Sequence, residues 1–159
     1  LDNIKERIST FATSCAEKLR KQKSSCHAIY VTLSSDRHKK DLEQHRASKI
    51  ISLPFPTDST LIISQQAVNA VTTIFKEGIK YKRAGVIVMG LVPTNNHQID
   101  LFESENPKHK PLMYAIDGLN KKYADYKVKL GNQDLKRTWK CVKNGYRQDT
   151  PPILMILLW

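Results

Sequence analysis

Long apolar runs are scarce in this chain: the longest, Ile153 to Trp159, falls far short of the ~20 residues that a membrane-spanning helix needs. No membrane association is expected. The first residues include Asp2, Lys5, Glu6 and Arg7, which leaves no apolar core for a signal peptide, so a cytoplasmic location is expected. Cysteine is equally sparse. Cys15, Cys26 and Cys141 are odd in number and never in CxxC spacing, which argues against a disulfide framework and a zinc ribbon.

The residues that would make an enzyme are also missing as a set. His27, His38, His45, His97 and His109 never stand three or four positions apart, and there is no P-loop, GxGxxG, GxSxG or HExxH. The 15 carboxylates are scattered, which gives no support to a paired-acid or two-metal centre. No cofactor and no catalysis are expected of this chain.

What is present is positive charge. Among 159 residues, 26 are Lys or Arg, giving a formal charge of +11, while 40% hydrophobic residues suffice for a globular core. Such a surplus favours a polyanionic partner, because Lys and Arg release counterions from a phosphate backbone. Nucleic acid leads the candidates.

Leu1, Ile4, Ile8, Phe11, Ala12, Cys15 and Leu19 follow helical spacing over Leu1 to Lys23. From Cys26 the pattern alternates: Ile29, Val31 and Leu33 share one side of a strand, and Ala28, Tyr30, Thr32 and Ser34 the other. Ala47 to Leu53 reads as a second strand closed by Pro54 and Pro56. A helix over Ser59 to Glu77 follows, with Gly78 as its C-terminal glycine, then a strand from Tyr81 to Val92 ended by Pro93. One face of the sheet should carry both helices, with Phe11 and Val71 buried.

Residues 94–110 form a polar linker, and charge changes sign around it. Residues 84–107 hold three acids and no base, whereas 108–149 hold eleven bases and four acids. Beyond it, Pro111 opens a helix with Leu112, Ile116, Leu119 and Tyr123 on one face. Lys127 to Leu130 reads as a short strand, and Gln133 to Val142 as a further helix. The division is therefore 1–93, a linker over 94–110, and an extension over 111–159.

Two groups of residues suggest binding. Lys76, Lys80, Lys82 and Arg83 cluster at the end of one helix and the start of a strand, and Arg46 and Lys49 lie on the neighbouring one. The other expectation is a plain solvated face, and the clustering shifts the balance toward phosphate contact. Within the linker, Gln98, Ile99, Asp100, Leu101 and Phe102 supply two apolar anchors and a polar orienting group, as a peptide that docks in a pocket requires. The competing reading is a latch in which Leu101 and Phe102 fold back on their own domain.

Leu19-Arg20, the run Ser52-Leu53-Pro54-Phe55-Pro56-Thr57, the run from Gly78 to Val86 and the QIDLF pentapeptide together resemble the C-terminal region of bacterial UmuC-type Y-family translesion DNA polymerases. Leu112-Met113, Ile116-Asp117, Leu119-Asn120 and Trp139 resemble the extension that follows it in that family. The likeness spans roughly residues 1–147 and is strongest over 78–102. Where the family continues with a Ser-Pro-Arg-Tyr-like run, this chain has Asn144-Gly145-Tyr146-Arg147.

The resemblance implies an α+β fold: a little-finger-like domain, with a small mixed or antiparallel sheet, helices on one face and its first strand missing. A small helical extension with a short strand follows. It implies DNA as partner, gripped by its backbone without sequence specificity, through Lys80, Lys82, Arg83, Arg46 and Lys49. It implies a sliding clamp as partner of Gln98 to Phe102, with a UmuD-type subunit and a recombinase filament as further partners. It also implies an SOS response and DNA repair role, in a parent polymerase whose Mg2+-binding palm precedes Leu1. The alternative is a protein-interaction module that docks on the clamp or a polymerase partner without touching DNA.

Overall fold

The computed structural model describes residues 1–39, 43–94, 106–123, 128–133 and 155–157. In chain order the elements are α1 (Asp2–Lys21), β1 (Ser24–Ser35), β2 (Arg46–Thr57), α2 (Thr60–Ile74), β3 (Tyr81–Pro93), α3 (His109–Tyr123) and β4 (Met155–Leu157). The strands make one antiparallel sheet in the order β2-β1-β3-β4. The fold is α+β, as expected from the sequence.

Alternation sets the faces. Ile29, Val31 and Leu33 of β1 are fully buried beside Val86 and Val88 of β3, beneath Ile8, Ala12, Cys15 and Leu19 of α1 and Ile63, Ala67 and Val71 of α2. The helices thus cover one sheet face and leave the other open. Val71 is buried as expected, but Phe11 is only half-buried against the core's margin. The stripe of α1 is centred on small residues, Ala12, Cys15 and Ala16, which let the helix approach the sheet closely and push Phe11 to the side.

The ends of β2 and α2 differ from the sequence reading. β2 runs through Pro54 and Pro56, because it is an edge strand whose outer N–H groups need no partner. Its ladder shifts there, since Ala28 faces Ser52 while Cys26 faces Thr57, so the proline segment bulges out. Helix α2 stops at Ile74, and Gly78, with φ +83°, serves the turn into β3 rather than the helix cap. Past the cap residue Phe75, the Lys76 N–H donates to the Tyr81 hydroxyl at 2.9 Å.

Residues 128–130 are not a strand. Asn120 of α3 holds the backbone of Val128 from both sides, accepting its N–H at 2.9 Å and donating to its carbonyl at 3.0 Å. The short strand of this region is β4, which pairs with β3 at Gly85 to Ile87. The helix expected over Gln133 to Val142 lies, from residue 134 on, outside the described residues.

α3 docks on the helical layer. Its Met113 is buried, and its Asp117 accepts two hydrogen bonds from Arg20 of α1. Arg20 also donates through Nη1 to the Asp58 carbonyl at 2.7 Å and the Thr60 hydroxyl at 2.9 Å, joining α1, the start of α2 and α3. Asn132 donates to Ser64 Oγ at 3.0 Å, and Ser64 shares a buried 2.8 Å hydrogen bond with Ser9.

Candidate nucleic-acid interface

The site is built on the sheet face away from the helices. Because directly opposed residues in an antiparallel ladder share a face, the register defines rows across β2, β1 and β3. The first row is Arg46, Ser34 and Arg83; the second is Ser48, Thr32 and Gly85. Strand spacings of about 4.8 Å put the two arginine backbones roughly 10 Å apart, with a short serine between them. Arg46 is exposed and Arg83 is half-buried. The Ser34 hydroxyl donates to the carbonyl of Ser35 at 3.2 Å.

Of the five basic residues singled out from the sequence, the register brings these two together and separates the other three. Lys49 faces the opposite way, opposed to buried Val31, and its Nζ donates to Thr73 of α2 at 3.1 Å. Lys82 falls in a bulge, since Ser34 faces Arg83 and Ser35 faces Tyr81, and its ammonium pairs with Asp36 at 2.8 Å. Lys80 is exposed ahead of β3. Lys76 pairs with Glu43 at 2.6 Å.

These contacts set the local titration. The hydrogen bond from Lys82, with one from the His38 amide, holds the Asp36 carboxyl below its ordinary value. The hydrogen bond between Lys76 and Glu43 lowers the acid and raises the base. Lys76 and Lys82 are thus each held by a neighbouring carboxylate.

Gln98, Ile99, Asp100, Leu101 and Phe102 lie outside the described residues. The last described residue before them is Thr94, whose N–H donates to the Lys23 carbonyl at 2.9 Å. No three His, Cys, Asp or Glu side chains among the described residues come together as metal ligands, so no step through Mg2+ is assigned to them. No described helix is long and apolar enough to cross a membrane.

The sequence reading missed the alignment of Arg46 and Arg83 on either side of Ser34. Its signal was available in part: Ser34 was assigned to the outer side of β1, and the partner register was the missing piece.

An antiparallel sheet covered by helices on one side, with arginines aligned on the other, defines a small two-layer α+β domain. Residues 1–101 match the impB/mucB/samB family C-terminal domain, and the chain belongs to that family. The match falls on the C-terminal region that the sequence resembles in UmuC-type Y-family polymerases. The chain is 31% identical to Protein MucB of Escherichia coli over 125 residues, covering 77% of this chain and 29% of MucB. It is 30% identical to Protein SamB of Salmonella typhimurium over 121 residues, covering 74% and 28%. Protein UmuC of Salmonella typhimurium is 24% identical over 140 residues, covering 87% and 33%. The chain therefore spans about three-tenths of the length of the relatives it matches.

Proposed function

We propose that this chain is the DNA-gripping, non-catalytic portion of an error-prone lesion-bypass DNA polymerase, acting in the response to DNA damage. Membership of the impB/mucB/samB family and a net charge of +11 support the reading, and the aligned Arg46–Ser34–Arg83 row carries it. Two guanidiniums on an open face, beside a strip of short side chains, suit phosphate contact, which adds affinity without reading sequence. Lys80 and Lys82 flank that row as secondary contacts. Lys49, on the helical side, contributes through the long-range field rather than by contact.

The same proposal assigns Gln98, Ile99, Asp100, Leu101 and Phe102 to a sliding clamp, with Leu101 and Phe102 as anchors and Gln98 as the orienting group. A tether at residue 94 would raise the local concentration of the DNA-binding face at the clamp. A UmuD-type subunit and a recombinase filament are proposed further partners of the whole polymerase, which would work in the cytoplasm. Titrating the chain with unrelated duplexes at rising salt tests DNA binding. Affinity should be similar across sequences and fall steeply with salt. An interaction module without DNA contact would show little binding at any salt.

A further inference from the structure

The open face changes character beyond its second row. The third row is Ile50, Tyr30 and Ile87, and the fourth is Ser52, Ala28 and Met89. Ile50 is 59% exposed, the highest exposure of any large apolar side chain among the described residues. Tyr30, Ile87 and Met89 are half-buried. The face is thus an arginine row, a low strip of Ser48, Thr32 and Gly85, and then an apolar row centred on an aromatic ring.

A surface made only to hold phosphates has no use for the third row. Duplex DNA offers phosphates and sugars, while its base faces are hidden in the stack. A single strand offers both phosphates and flat apolar base faces, and sites for it combine cationic grooves with aromatic platforms. Tyr30 lies four residues from Ser34 along β1, about 13 Å at the usual strand rise. That separation exceeds a single nucleotide step, so phosphates at the arginines and a base at Tyr30 belong to neighbouring parts of one strand.

We propose that the Ile50–Tyr30–Ile87 row is a stacking platform for an unpaired nucleotide of DNA whose phosphates are held by Arg46 and Arg83. This rests on the DNA-binding reading above and refines its ligand from duplex to duplex with a single-stranded extension. Charge decides the class of occupant: an apolar row one strip away from two arginines, in a chain of +11, fits a polyanion with exposed base faces. Tyr30 acts here through its ring, so phenylalanine should replace it.

The test compares a blunt duplex with the same duplex bearing a single-stranded extension that contains 2-aminopurine, using the full chain and its Tyr30→Ala and Tyr30→Phe variants. The full chain should bind the extended DNA roughly 5- to 100-fold more tightly than the blunt one. Probe fluorescence should fall as the base stacks. Tyr30→Ala should bind both DNAs equally, at the blunt-duplex affinity of the parent chain, without quenching. Tyr30→Phe should keep both preference and quenching. Tyr30 stands outside the helix-covered core, and circular dichroism and melting temperature verify that each variant is folded. Equal binding of both DNAs by the parent chain, or a preference that survives Tyr30→Ala, overturns the platform while leaving phosphate contact intact. No binding to either DNA overturns both readings.

Discussion

Arg20 and Asp117, 97 positions apart in the chain, meet in a two-point ion pair, with Nε to Oδ2 at 2.6 Å and Nη2 to Oδ1 at 2.8 Å. The guanidinium is nearly buried, at 5% exposure, and its remaining Nη1 binds the Asp58 carbonyl and Thr60 hydroxyl at the start of α2. Removing Asp117 therefore strands a charge that water reaches poorly. Asp117→Ala should destabilise the protein by on the order of 2–3 kcal/mol, below the value for a fully buried pair because the carboxylate is 28% exposed. Urea denaturation of Arg20→Ala, Asp117→Ala and the double variant should show a coupling above about 1 kcal/mol. Additive losses would mean that α3 is held by Met113 and its other contacts alone.

The burial pattern of α1 orders two core variants. Leu19 is fully buried and Phe11 only half-buried, so Leu19→Ala should cost about 2–5 kcal/mol and Phe11→Ala clearly less, despite its larger side chain. Denaturation midpoints of the two variants provide the check. The reverse order would place the ring of Phe11 deeper than its packing indicates.

Lys23, which follows α1, has φ +53°, a left-handed conformation that glycine adopts without strain. Lys23→Gly should raise stability by about 0.5–1 kcal/mol, measured as a higher denaturation midpoint at unchanged m-value. A loss of stability would show that the lysine side chain contributes more than the backbone strain removes.

Burial raises both core thiols, Cys15 to about 11 and Cys26 to about 12, from an ordinary value of 9.0. The folded state thus holds these protons more tightly than the unfolded chain does. Their contribution to stability is complete below pH 9 and declines as pH rises through 11 and 12. Stability should fall between pH 9 and 11 more steeply in the parent chain than in a Cys15→Ala, Cys26→Ala variant. In a Cys141→Ser background, native thiols should resist alkylation at pH 8 until denaturant is added. Rapid native labelling would contradict the burial.

How far the sequence speaks for the fold can be judged residue by residue. The alternation of Ile29, Val31 and Leu33 against Tyr30, Thr32 and Ser34 was readable because it depends only on the period of a strand. Burial of Val71 followed from helix spacing. The passage of β2 through Pro54 and Pro56 was not readable, because edge position is a property of the assembled sheet. Arg20 and Asp117 both stood in the stretches that carried the family resemblance, yet their pairing is a long-range contact with no local signature. The same holds for the site: Arg46 and Arg83 were among the expected DNA contacts, but only the register separates them from Lys49 and Lys82.

The proposed grip on DNA runs through the arginine row of the open face. Its most direct test is the salt dependence of duplex affinity for the full chain, for Arg46→Gln with Arg83→Gln, and for Lys49→Gln. Each lost phosphate contact should make the slope of log affinity against log salt shallower by about 0.9. The double arginine variant should lose roughly 1.8 in slope and bind all duplexes more weakly, while Lys49→Gln should stay close to the parent chain. An unchanged slope in the double arginine variant, or an equal loss on replacing Lys49, would contradict the account.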